Sequence, residues 1–535
     1  MVDTPKPLYQ KLLPVPLTLA VIALAALAVQ FLTMSRPFIG GVDFYYYILN
    51  ARDLADGAAG APPIRYTYFP GVYRFWTSIL LATDGSLATL QWTYVGVMLA
   101  NGILVGCILA TVTRIWQAGL FATVLYLFMA SRVEGMYGVT EPITTIPFLA
   151  GLWLWVLLSD TGRPRAALVA LATGFGLTLF SKQQGALLLF GALGLLQDPA
   201  YAARPFRQRL TGVMMMTGGA LLVFLGAMLL EGGGIEAIHM GLRFVMEYQP
   251  EGLWFENVSR AQEATQPVSN LFLSACAVWL ALTIARRKFP EFPPAVMPVL
   301  GITVLSALGC VLQFSRRGHL HYALLFLPSA IIAGGLTLYV VAVFLDRQTR
   351  RWPRFAEAAA IIGTVLFLLV NSVGTTDFVR YASAQIASPT RWMPHDTLRQ
   401  VFAPLCTRVE PGSGLLLIPQ RQGIVHWECR TRAVSPVVGY RWGPMEAAYY
   451  MIAASSPAAA NVFVFAERYG EYEQLFFRSN DRTRILRELE RLGFRETFSF
   501  DAGQLYQRTG RNAPLMIGGA HRSESTARTE TPPAE

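Results

Sequence analysis

The chain has 535 residues, of which 53% are hydrophobic and only 15% charged; a soluble protein of this size carries nearer a quarter charged residues. An ordinary soluble enzyme is excluded. The net charge of +10 does not point to nucleic acid, because the arginines fall largely between apolar runs of about 20 residues, each long enough to cross a hydrocarbon core of about 30 Å.

In chain order, Lys6 and Lys11 precede the first run, Leu12–Met34. It is too long for the apolar part of a cleaved secretion signal and reads as an uncleaved first span. The expected spans continue with Leu90–Thr113, Leu120–Met129 with its flanks, and Pro142–Leu158. A shorter pair follows, Ala166–Phe180 and Gly185–Leu196, either two spans or a re-entrant loop. Then come Leu210–Leu230, Val268–Ile284, Pro294–Phe314, Tyr322–Leu345 and Ala356–Ser372. The reading is a polytopic α-helical membrane protein with about eleven crossings. With the amino terminus inside, the cation-rich segments Arg204 to Arg209, Arg286 to Lys288 and Arg347 to Arg354 lie in the cytoplasm. An odd number of crossings then places everything after Thr375 outside.

That outer region, 375–509, reads as a small α/β domain separate from the membrane domain, 1–374. Gly414 to Pro419 and Asn461 to Phe465 read as buried strands, and Asp481–Leu492 as an amphipathic helix ended by Gly493. Phe494–Phe500 and Gln504–Arg508 read as a hairpin. The tail, 510–535, is rich in Ser, Thr, Pro and Glu and reads as disordered. Cys406 and Cys429 both fall in the outer domain, where an oxidising compartment permits a disulfide. No CxxC pair or His-rich motif supports a metal; the sequence leaves a divalent metal open without supporting one, and points to no other cofactor.

Three segments on the outer side carry the candidate chemistry. The first outer loop, 35–88, opens with Gly40-Gly41-Val42-Asp43-Phe44-Tyr45-Tyr46-Tyr47. A carboxylate at the membrane boundary among aromatic rings suits a base acting on a lipid-borne substrate, and it also suits a helix N-cap after two glycines. In the second segment Glu141 immediately precedes a span, as a second acidic candidate or a helix cap. The third set is cationic: Lys182, between the two short runs, and Arg316, Arg317 and His319, before another span. Charges at such depth are costly unless they face water, a partner or a headgroup. Several together point to a phosphate, although single arginines there also serve as snorkelling anchors.

These pieces resemble the GT-C superfamily of integral-membrane glycosyltransferases. The likeness is to the dolichyl-phosphate-mannose protein mannosyltransferase branch and its bacterial relatives that modify lipid A, lipopolysaccharide core or cell-wall glycans. Gly41-Val42-Asp43-Phe44-Tyr45-Tyr46 is followed by Tyr68-Phe69-Pro70, then Gly174-Phe175-Gly176-Leu177 and Phe180-Ser181-Lys182-Gln183, then His319-Leu320-His321-Tyr322. Many members carry Asp-Glu at the first position, where this chain has Asp43-Phe44. The resemblance implies a polyprenyl-phosphate sugar donor and a glycan, lipid or protein acceptor at the outer face of the cytoplasmic membrane. It implies Asp43 as general base in an inverting transfer, with Lys182, Arg316, Arg317 and His319 on the donor phosphate. Tyr45, Tyr46, Tyr66, Tyr68 and His321 would contact the sugar or acceptor. A flippase for a lipid-linked glycan and a non-catalytic envelope scaffold are the competing readings. The first would show paired repeats and polar groups near the midplane, whereas here the polar residues sit at outer ends.

Overall fold

The computed structural model describes residues 42–56, 69–133, 138–197, 205–231, 238–239, 253–266, 268–284, 292–316, 319–351, 395–418, 423–434, 454–466 and 479–509. The expected spans Leu12–Met34 and Ala356–Ser372, and the tail from 510, lie outside them. The chain divides into two compact units, Met1–Gln400 and Val401–Glu535. The boundary expected at 374/375 also lies outside the described residues.

Among the described residues the first unit is helical. Its elements are α1 (Val42–Ala55), α2 (Gly71–Ala82), α3 (Leu87–Thr113), α4 (Trp116–Arg132), α5 (Glu141–Asp160), α6 (Pro164–Ser181), a 3₁₀ helix (Gln183–Gln197), α7 (Phe206–Leu230), α8 (Trp254–Thr265), α9 (Val268–Ile284), α10 (Val296–Arg316) and α11 (Ala323–Arg351). Among the described residues six helices are long and apolar enough to cross a membrane, or seven when the bent pair α8–α9 counts as one. The membrane-protein reading therefore holds, with nine of the expected spans appearing as helices.

The short pair acquires a physical explanation. Fifteen residues from Gln183 to Gln197 wind as a 3₁₀ helix, which rises about 30 Å where an α-helix of that length would rise only about 22 Å. The segment thus reaches further than its residue count suggests, although it is not among the six or seven helices long and apolar enough to cross a membrane. Long 3₁₀ runs are uncommon, and this one is held against α10 by close packing. Gly191 sits on Ser306 and the Ile302 carbonyl, and Ser306 Oγ donates to the Leu188 carbonyl at 2.8 Å.

α12 (His395–Cys406) runs across the boundary between the units, and β1 (Gly414–Ile418), α13 (Gly423–Glu428), β2 (Arg432–Ala433), β3 (Asn461–Phe465), α14 (Ser479–Arg491), β4 (Phe494–Phe500) and β5 (Gly503–Arg508) follow in the second unit. The sheet order is β2-β1-β3-β5-β4, with β1 parallel to β2 and β3, and β5 antiparallel to β3 and β4. Leu416, Ile418, Val462 and Val464 pack on Ile485 and Leu489 of α14. On the other face Phe402 of α12 meets Phe465 edge-on at 5.8 Å. Cover on both faces is why β1 and β3 read as continuous apolar runs rather than alternating ones. Gly493 takes φ +83° at the end of α14, the stop expected of it. Cys406 and Cys429 are disulfide-bonded, with Cα atoms 4.5 Å apart.

Candidate active site

The site forms where α5 begins and α6 ends, and one packing seam sets that register. A Cβ at Gly151 would lie 2.8 Å from the Cα of Gly174, so α5 and α6 touch backbone to backbone there. Glu141 lies about 15 Å up α5 from this contact, and Lys182 about 12 Å up the antiparallel α6. The two residues therefore reach the same level, although 41 positions separate them.

They meet as an ion pair. Lys182 Nζ donates to Glu141 Oε1 at 2.6 Å and to Thr140 Oγ1 at 2.7 Å. The two side chains are only 3% and 1% exposed. Glu141 occupies the first turn of α5, where the positive end of the helix dipole favours an anion. Its second oxygen, Oε2, is buried and has no hydrogen-bond partner among the described residues. His321 and Tyr94 lie within electrostatic range of the same carboxylate. A neighbouring network fixes the helix start. Asn101 Nδ2 donates to the carbonyl of Pro142 at 2.7 Å, and Thr145 Oγ1 donates to Asn101 Oδ1 at 2.7 Å.

The helix that carries Asp43 comes to this nest. Asp43 is the second residue of α1, inside the first turn rather than at the cap position considered from sequence. Its neighbour Phe44 lies against Gly138, where a Cβ would stand 2.5–2.7 Å from the Phe44 side chain. Gly138 has φ +68°, so this turn into α5 needs glycine for both its backbone conformation and its space. The amino end of α1 is thus packed three residues ahead of Glu141. From the other side, a Cβ at Gly71 of α2 would meet the Cα of Ser181 at 2.7 Å. The Phe69 N–H donates to Gln183 Oε1 at 3.3 Å. The starts of the loop's two described segments therefore pack beside the pair, Phe44 at Gly138 near Glu141, and Phe69 and Gly71 at Gln183 and Ser181 on either side of Lys182.

Other expected site residues fall differently. Tyr45 and Tyr46 are buried. Tyr46 shares a hydroxyl–hydroxyl hydrogen bond of 3.2 Å with Tyr73, and Tyr45 packs edge-on against Phe44 at 5.7 Å. In this structure these rings fill the helix contacts of the first loop instead of presenting open faces. His319 and His321 stack at 5.4 Å, with Tyr322 edge-on to His321 at 4.5 Å. Arg316 ends α10; its side chain, that of Asp43, and the residues Arg317, Tyr66 and Tyr68 lie outside the described residues. Lys182 was expected to face a phosphate, and here it faces Glu141. Thr140, Asn101 and Tyr94 were not singled out from sequence; only Asn101, an amide inside a span, carried a signal. Among the described residues no group of three or more His, Cys, Asp or Glu side chains could hold a metal ion.

No family model matches the sequence, and neither does any curated relative. Solved structures do match. ArnT from Cupriavidus metallidurans, bound to undecaprenyl phosphate, is 14% identical over 93% of this chain and 99% of that one, with a TM-score of 0.54. The archaeal oligosaccharyltransferase AglB from Archaeoglobus fulgidus, in complex with an inhibitory peptide and a dolichol-phosphate, is 12% identical over 93% of this chain and 75% of that one, with a TM-score of 0.53. At these identities the likeness is one of fold. The chain has the GT-C membrane fold that its sequence motifs resemble.

Proposed function

We propose that this protein is a membrane glycosyltransferase that moves a sugar from a polyprenyl-phosphate donor to an acceptor hydroxyl on an envelope glycan, lipid or protein. The observation that carries the reading is the buried Lys182–Glu141 pair, set beside the amino end of the Asp43 helix. A matched charge pair inside a membrane domain is costly to maintain for packing alone. The fold adds support, since one solved relative by fold holds undecaprenyl phosphate and another dolichol-phosphate.

In this reading the acceptor oxygen attacks the anomeric carbon as the bond from that carbon to the phosphate oxygen breaks, which inverts the centre. Asp43 takes the hydroxyl proton, and the polyprenyl phosphate leaves with the electron pair. A phosphate leaving group needs charge stabilisation rather than a proton. Lys182, with His319 and the arginines Arg316 and Arg317, supplies it in a largely dry site. The reaction takes place at the outer face of the cytoplasmic membrane, with the amino terminus inside and the second unit outside. The Cys406–Cys429 disulfide suits that oxidising side.

Cells lacking the gene and complemented with Asp43→Asn provide the test. The variant protein should insert at wild-type levels, transfer should fall by about 10²–10⁴-fold, the lipid-linked sugar should accumulate, and one envelope glycan species should vanish. Full complementation by Asp43→Asn would remove Asp43 as the base. An unchanged profile of lipid-linked sugars and glycans in the deletion strain would remove the reaction itself.

A further inference from the structure

Lys182 is the cation expected to meet the donor phosphate, yet in this structure its ammonium is already held by a carboxylate. Three features of that contact point in one direction. The pair is almost fully buried, at 3% and 1% exposure, so neither charge can turn to water without leaving the nest. It is incompletely built: Glu141 Oε2 is buried with no hydrogen-bond partner among the described residues. A buried ion pair offsets its desolvation only when the remaining lone pairs are satisfied, so this one is held together less firmly than its depth implies. Finally, the carboxylate sits in the first turn of α5, a place whose helix dipole favours any anion.

We propose that Glu141 is a built-in stand-in for the donor phosphate. It holds and neutralises Lys182 until the donor phosphate arrives and takes its place on the ammonium. The inference rests on the reading of the chain as a polyprenyl-phosphate enzyme and adds to it a competition within the site. The carboxylate keeps Lys182 charged and aimed, and an anion able to replace it at both Lys182 and the helix terminus is admitted. The exchange sets donor affinity below what Lys182 alone would give. Donor release is correspondingly faster, since the carboxylate returns to the lysine as the phosphate leaves.

Purified full-length protein in detergent is titrated with undecaprenyl phosphate. Glu141→Gln keeps the shape and removes the competitor, so it should bind at least about tenfold more tightly than wild type. Lys182→Met should bind more weakly than wild type, and the double variant should lose the gain of Glu141→Gln. In wild-type protein labelled with ¹³C-glutamate, adding undecaprenyl phosphate should shift a carboxylate band in the infrared difference spectrum. That measurement stands even if a variant fails to fold. Weakening by Lys182→Met with no tightening by Glu141→Gln, or an unshifted carboxylate band on saturation, overturns the exchange and leaves the proposed reaction standing. Absence of undecaprenyl phosphate binding by the wild-type protein overturns the reading on which the exchange rests.

Discussion

Replacing Lys182 by methionine isolates what the buried pair does for the fold. The thioether is of similar length, so little cavity opens, and the change is essentially the loss of one charge. Glu141 is then left 1% exposed, with its Oε1 deprived of the 2.6 Å contact and its Oε2 already unpartnered among the described residues. Breaking one side of a buried pair costs about 3–5 kcal/mol, and proton uptake by the stranded carboxyl keeps the cost from rising further. Lys182→Met should therefore lower unfolding stability by about 4 kcal/mol. SDS titration in mixed micelles, followed by circular dichroism, measures it. The double variant with Glu141→Gln removes both charges of this pair and should recover about 2 kcal/mol of that loss, a non-additivity expected only of groups in contact. A cost for Lys182→Met below about 1 kcal/mol, the range of exposed pairs, would refute the picture of a dry, paired site.

Other consequences follow from single features. Gly138→Ala forces a side chain into a φ of +68° and onto Phe44, so it should cost more than about 1 kcal/mol by the same titration and also slow transfer, because the contact aligns α1 with α5. The Cys406–Cys429 bond closes a loop with a sequence separation of 23; replacing both cysteines with serine should cost the second unit about 3 kcal/mol, read from melting of the full chain. Labelling of those two thiols in wild type should appear only after reduction. Asp84 Oδ1 accepts from the Ser86 N–H at 3.0 Å and from Thr89 Oγ1 at 2.8 Å, contacts that hold its carboxyl below the usual range. Because the folded value is the lower one, the support it gives the start of α3 is present above about pH 4 and is lost as pH falls through that folded value. Hydrogen exchange at the Ser86 and Thr89 amides should accelerate on acidification, relative to the intrinsic rate, in wild type but not in Asp84→Asn.

Elements whose cause is local can be read from the order of residues alone. Apolar runs located nine helices of the first unit, because the bilayer or a protein interior must receive them whatever the rest of the chain does. In the second unit the period of Ile485, Leu486, Leu489 and Leu492 and the stop at Gly493 marked α14. The unbroken runs at Gly414–Ile418 and Asn461–Phe465 marked strands covered on both faces. The short run after Lys182 was ambiguous because its length leaves both a span and a re-entrant loop open, and it winds as a 3₁₀ helix packed on α10. The site residues were visible as charges in costly places, but their partners were not. Lys182 and Glu141 were read as separate features, a phosphate-side cation and a second acid, although they are bound to one another. What joins them is the seam at Gly151 and Gly174, which fixes the slide of one helix along the other. Tyr45 and Tyr46, plausible as sugar platforms in one dimension, are both buried, Tyr46 against Tyr73 of α2. Hydropathy and turn chemistry act over a few residues and can be read in order; the register of two helices depends on shape matched across dozens of positions, and only the folded chain decides it.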